Sequence, residues 1–160
     1  MIKETREFEV PLTEIEIAGF DRKVRDELVR AERLERELIH NMDALPWVAD
    51  VYKRDLEIEK YFIGYLMHPY VSIYTGRGCK SRCTFCLWPQ TVGGHRYRVR
   101  SPGHVAEEVR LIQRYFPQMR ELFFDDDTFT DNLPRAEAIA RELGKLGVTW
   151  SCNAKANVPF

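Results

Sequence analysis

The spacing of apolar residues changes partway along the chain. Over residues 21–41, Val24, Leu28, Ala31, Leu34 and Leu38 recur at helical intervals on a charged background, with Glu32 and Arg36 placed as an i,i+4 pair. So narrow a stripe predicts a solvated surface helix resting on a larger body. Residues 43–46 and the aromatic stretch 61–70 read as an extended linker running into a strand, so residues 1–69 form a mostly helical lead-in. From residue 70 onward, strand-length and helix-length patterns alternate. Residues 70–74 (YVSIY) are a β-branched and aromatic run. Ser101 and Pro102 supply an N-cap and a first-turn proline, and Val105, Val109, Ile112 and Phe116 mark one face of a helix that stops at Pro117. Residues 121–124 predict a buried strand ending in Asp125, Asp126 and Asp127. Pro134 opens a second helix with Ile139, Leu143 and Leu146 inward and Gly147 at its end, and residues 148–152 make a third strand.

This order predicts an α/β fold with a parallel sheet joined by right-handed crossovers, in which ligands sit at the carboxyl ends of the strands. Three segments follow strand ends: the loop after residue 74, the aspartate run, and residues 153–155. They are expected to converge on one site.

Composition narrows the chemistry. The 160 residues carry 24 basic and 25 acidic side chains, a formal charge of −1, and 44% hydrophobic content. That is an ordinary globular composition, with no basic excess to favour nucleic acid. The longest apolar run, YFIGYLM at 61–67, is far short of the ~18 residues a bilayer span requires, and the charged start MIKETREFE does not read as a signal peptide. A cytosolic location is expected. In a reducing compartment, clustered cysteines read as metal ligands or redox groups rather than as disulfide staples.

Such a cluster lies in YTGRGCKSRCTFCLWPQTVGGHR, residues 74–96, where Cys79, Cys83 and Cys86 are spaced C-x3-C-x2-C; the other cysteine, Cys152, reads as a small buried hydrophobe at a strand end. Three thiolates on one glycine-flanked loop can each take a corner of a four-iron four-sulfur cluster and leave the fourth iron open. A structural zinc site would need a fourth ligand, for which His95 is the nearest candidate.

The octet CKSRCTFC, with an aromatic residue before its last cysteine, resembles the radical S-adenosylmethionine signature. The resemblance implies that the open iron chelates S-adenosylmethionine and that a flavodoxin- or ferredoxin-type reductant supplies the electron that cleaves it. It further implies a partial (β/α) barrel, of which residues 70–160 would be the amino-terminal half. Asp125–Asp127 would stand where that family has its Gly-Gly-Glu type motif, placing Asp127, with Asp126, at the cofactor's ammonium. Lys155 would meet its carboxylate and Phe85 would shield the cluster.

Wider stretches, among them "NMDALPWVADVYKRDLEIEKYFIGYLMHPYVSIYTGRGC" and "FFDDDTFTDNLPRAEAIARELGKLGVTWSCNAKANVP", resemble the hopanoid-biosynthesis-associated radical S-adenosylmethionine proteins of the cobalamin-binding-domain class. That resemblance implies a lipid-like, amino-sugar-bearing substrate met at a membrane surface and converted to a cyclitol ether. It also implies a cobalamin-binding domain, yet the sequence has no Asp-x-His-x-x-Gly stretch, so cobalamin is expected only with a domain missing here. Because the chain stops just after the third predicted strand, it is expected to be an internal or truncated piece. The alternatives are a cobalamin-dependent radical methyltransferase, a methylthiotransferase, a plain iron–sulfur electron carrier and an inactive fragment.

Overall fold

The computed structural model describes residues 39–88 and 94–156. The helix expected over 21–41 lies outside them, except for residues 39–41. The described residues belong to one compact unit, 39–160.

Its centre is a three-stranded parallel sheet in the order β1-β4-β5, formed by β1 (Tyr70–Ile73), β4 (Glu121–Phe124) and β5 (Trp150–Cys152). Tyr70 pairs with Glu121 and Ile73 with Phe124 on one side, and Leu122 with Trp150 and Phe124 with Cys152 on the other. Two crossover helices connect these strands and pack on each other: α2 (Pro102–Tyr115) and α3 (Leu133–Leu146). Both helices and all three strands predicted after residue 70 are therefore present, within a residue or two of their expected ends. The described residues form a three-stranded parallel sheet with its helices, an α/β arrangement.

Local chemistry explains the helix limits. The Ser101 hydroxyl accepts the His104 N–H at 3.3 Å with Pro102 in the first turn, and the Asn132 side chain accepts the Arg135 N–H at 3.3 Å. The second helix ends on Gly147, whose φ of 62° is the left-handed conformation that costs a residue with a Cβ. The apolar stripes of both helices are buried with Val71, Ile73, Leu122 and Phe124. Phe124, in the central strand, stacks on Phe129 with ring centroids 5.1 Å apart, and Trp150 lies at 5.6 Å from each.

Within the lead-in, residues 43–44, expected as linker, belong to a helical turn. The lead-in holds a 3-10 turn (Met42–Ala44), a short helix α1 (Ala49–Asp55) and a second 3-10 turn (Ile58–Lys60), with Ala49 and Ile58 in the core. Two buried carboxylates supply what the segment lacks locally. Glu108 on α2 accepts the Val48 and Ala49 N–H groups at 2.8 and 3.3 Å, while its other oxygen pairs with Arg100 at 2.6 Å. Glu121 accepts the Met67 N–H at 2.6 Å and the Ser151 hydroxyl, which holds residues 61–69 against the sheet. Among the described residues no helix is long and apolar enough to cross a membrane.

Two short strands were not foreseen: β2 (Gly76–Arg77) and β3 (Arg98–Val99), paired antiparallel. They close the cysteine-bearing excursion of residues 78–97 at its base. Gly76 is required there, since a Cβ would stand 2.6 Å from the Tyr97 ring and 2.9 Å from the Arg98 carbonyl oxygen.

Ser101→Ala should lower the unfolding free energy by about 0.5–2 kcal/mol through loss of the cap. Gly147→Ala should cost about 1–2 kcal/mol through its left-handed φ. Urea unfolding of each variant checks both, and a neutral Gly147 substitution would show that the turn relaxes out of its left-handed form.

Candidate functional site

The three segments expected to converge do so through hydrogen bonds, most of them accepted by carboxylates. The Gly78 N–H donates to Asp127 Oδ2 at 2.8 Å and the Lys80 N–H to Asp131 Oδ2 at 3.0 Å, joining the cysteine loop to the segment after β4. The Phe129 N–H donates to the Asn153 carbonyl at 2.9 Å, and Asn153 Nδ2 donates to Asp125 Oδ1 at 3.0 Å, joining that segment to the one after β5. Tyr74, at the end of β1, donates its hydroxyl to Asp125 Oδ2 at 2.9 Å.

The three aspartates have different surroundings. Asp126 is fully buried: Oδ1 accepts the Thr75 N–H at 2.5 Å, and Oδ2 accepts the Thr75 and Tyr97 hydroxyls, each at 2.6 Å. The Arg135 guanidinium lies beside it, donating to the Thr75 carbonyl at 2.7 Å, the Arg100 carbonyl at 2.8 Å and the Tyr97 hydroxyl at 3.3 Å. Thr75 enters the cysteine excursion and Tyr97 leaves it, so Asp126 and Arg135 clamp both ends of the loop. With both oxygens engaged and none of its surface exposed, Asp126 is placed as a clamp, whereas Asp125 and Asp127 keep partial exposure beside the loop. Burial raises the Asp126 carboxyl above its ordinary range, against the opposing pull of Thr75, Tyr97 and Arg135. Burial also raises the Tyr97 hydroxyl, assisted by the Asp126 charge.

Lys155 reaches back across the site. Its ammonium donates to Asp131 Oδ1 at 2.5 Å and to Ser81 Oγ at 2.6 Å, within the C-x3-C segment. Burial alone would lower the Lys155 pKa, but Asp131, with Cys79 and Cys83 nearby, reverses this and raises it. Asp131, whose own carboxyl would be raised by burial, is instead held below its usual range by Lys155 and the Lys80 N–H. Sequence reasoning missed Asp131; its signal was an acidic residue in the segment between the second strand and the second helix.

None of the four cysteines is in a disulfide. Cys79 is half-buried with its sulfur 3.8 Å from the Thr128 hydroxyl, and its N–H donates to the Gly94 carbonyl at 3.3 Å. A turn brings the Cys86 N–H to within 3.2 Å of the Cys83 carbonyl. Cys83 is exposed, and Phe85 is 88% exposed. Among the described residues no three His, Cys, Asp or Glu side chains gather closely enough to hold a metal ion. By donor chemistry alone, three thiols outside any disulfide on one loop, with a hydrogen bond at the first of them, are a set that an iron–sulfur centre could use. Cys152 stands apart at the end of β5, its thiol raised by burial and by the Asp126 charge.

No family model and no solved structure matches the chain. It is 32% identical over 125 residues to the uncharacterized methyltransferase PH0819 of Pyrococcus horikoshii, a match covering 76% of this chain and 26% of that protein. It is 33% identical over 102 residues to the cytidylyl-2-hydroxyethylphosphonate methyltransferase of Streptomyces wedmorensis, covering 59% of this chain and 18% of that one. The chain thus spans about a quarter or less of the length of these curated relatives. Matches covering such shares of 160 residues necessarily include residues 79–86.

These relatives correct the resemblance to hopanoid head-group proteins: they are named as methyltransferases. The reason is physical. Cysteine spacing, an aspartate run and strand order are features of a scaffold, and one scaffold hosts many activities.

For Asp126 the sign of the pH effect follows from its raised carboxyl. A group whose folded pKa exceeds its unfolded value contributes stability that is present below the unfolded value, ~3.9, and is lost as pH rises through the folded one. Asp126→Asn removes that dependence while the other carboxylates remain. The stability advantage of wild type over the variant should therefore be largest near pH ~4 and shrink toward pH ~7. An advantage that grows with pH, in chemical unfolding at several pH values, would show that Arg135 and the hydroxyl donors outweigh burial.

Proposed function

We propose that this chain is part of a radical S-adenosylmethionine methyltransferase, in which Cys79, Cys83 and Cys86 hold a four-iron four-sulfur cluster. One observation carries the reading: three thiols outside any disulfide share a loop at the carboxyl end of a parallel sheet, inside the stretch matched to two methyltransferases. The three strands would be the first part of a (β/α) barrel.

When bound and reduced, such a cluster supplies the electron that cleaves S-adenosylmethionine to methionine and a 5'-deoxyadenosyl radical. The chain's own residues hold and orient. Asp127, already anchoring Gly78, would take the cofactor's ammonium, with Asp125 beside it. Phe85, 88% exposed and next to Cys86, would close over the cluster and exclude water. A flavodoxin- or ferredoxin-type donor would deliver the electron. Any cobalamin that relays the methyl group would need a binding domain other than the described residues. The name of the Streptomyces relative makes a nucleotide-linked phosphonate a reasonable trial substrate.

Anaerobic reconstitution of the protein with iron and sulfide should give about four of each per chain. Alanine at Cys79, Cys83 or Cys86 should abolish loading, and Cys152→Ala should spare it. Reduced protein with S-adenosylmethionine should release 5'-deoxyadenosine, measured by chromatography. Stoichiometric zinc with no iron uptake, or loading that depends on Cys152 and not on Cys83, would sink the reading.

A further inference from the structure

We propose that Lys155 and Asp131 form a charge-balanced tether that fixes the first half of the cysteine loop and sets the reduction potential of the centre the loop holds. The potential rests on the three-cysteine reading above; the tether rests on geometry alone.

Asp131 closes the 3-10 turn Phe129–Asp131 and spends its two oxygens on different parts of the chain. Oδ1 takes the Lys155 ammonium, delivered from beyond β5, and Oδ2 takes the backbone N–H of Lys80, the residue directly after Cys79. The Lys80 ammonium reaches back to the Asp131 carbonyl at 3.3 Å. Lys155 itself bonds Ser81, midway between Cys79 and Cys83. Segments after β1, β4 and β5 are thus fastened at a single ion pair, with Asp131 8% and Lys155 29% exposed at the side chain. Lys155 has its hydrogen-bonding directed into the loop, which makes it a positioning residue in place of the cofactor-carboxylate contact its sequence position suggests.

An electron added to a centre on the neighbouring thiolates is a negative charge. An ammonium beside it favours reduction and a carboxylate opposes it, and partial removal from water strengthens both effects. As a pair the two nearly cancel at a distance; removing either partner uncovers the other. Opposite shifts from the two removals are therefore the signature of charge, whereas a merely structural tie would move both variants the same way.

The experiment compares wild type with Lys155→Met, Lys155→Arg and Asp131→Asn after reconstitution, with iron counted and the midpoint potential read by electron paramagnetic resonance during redox titration. The midpoint should fall in Lys155→Met, rise in Asp131→Asn and stay near wild type in Lys155→Arg. Shifts of the same sign in the first two, no shift in either, or loss of loading in both would overturn the potential-setting role. The tether is read without metal: in the metal-free protein, Asp131→Asn should speed hydrogen exchange at the Lys80 amide by about tenfold or more, the factor matching loss of a charge-assisted hydrogen bond. Unchanged exchange would overturn the tether. A wild-type protein that takes up no iron and sulfide would sink the cluster reading and the potential with it, and Lys80 exchange would still decide the tether.

Discussion

The buried carboxylate of Asp126 is the constraint on which the rest of the site depends. It sits just beyond the end of β4, fully buried, and accepts from Thr75 and Tyr97 on either side of the cysteine excursion. A carboxylate so placed is tolerable only with its hydrogen bonds complete, and the loss of one partner leaves a charge or polar group buried without compensation. This ties the two ends of the loop to each other as strictly as to the sheet. The two residue pairs of the β2–β3 ribbon could not specify a register by themselves. With Thr75 and Tyr97 fixed and Gly76 allowing the Tyr97 ring to approach, they do not have to.

The same device recurs throughout the described residues. Irregular backbone has no ladder to satisfy its N–H groups, and water is excluded from much of it. Carboxylates reached from distant parts of the chain take that place: Glu108 for Val48 and Ala49, Glu121 for Met67, Asp43 for Ser101, Asp127 for Gly78 and Asp131 for Lys80. Much of the acidic composition is therefore spent on holding non-repetitive chain in place. This also explains why the aspartate run after β4 is not simply a solvated turn: Asp125 accepts from Tyr74 and Asn153, Asp126 from Thr75 and Tyr97, and Asp127 from Gly78.

What the sequence made legible follows from the range over which each signal acts. Ser101, Pro102, Pro134 and Gly147 act on their own helix ends, and the strands and helices they bound were readable. So was the convergence of three strand-following segments, because parallel crossover topology dictates it. The short helix α1 was not readable, since the acceptor that caps its first N–H groups is Glu108, 59 and 60 residues away. The β2–β3 ribbon is too short to show a period, and Asp131 matters only because Lys80 and Lys155 meet it in space. The substrate lay furthest out of reach: cysteine spacing carries no signal for it, and similarity to proteins named as methyltransferases replaced the hopanoid expectation.

Rooting at one end and exposure at the other give the loop an asymmetric character. Cys79 lies on the rooted part, between the Gly78–Asp127 and Lys80–Asp131 bonds, with its sulfur against Thr128. Cys83 and Phe85 lie on the exposed part, where a turn already links Cys83 to Cys86. A loop fixed throughout would hold three sulfurs at distances set by the protein, and any mismatch with a rigid inorganic cube would appear as strain. A loop fixed nowhere would lose the entropy of ordering every residue on binding. On the three-cysteine reading, rooting Cys79 would place the first ligand in advance and leave the Cys83–Cys86 turn to close as a unit. The ordering cost would then be confined to a few residues, and a covering of the centre by Phe85 would be part of the same closure.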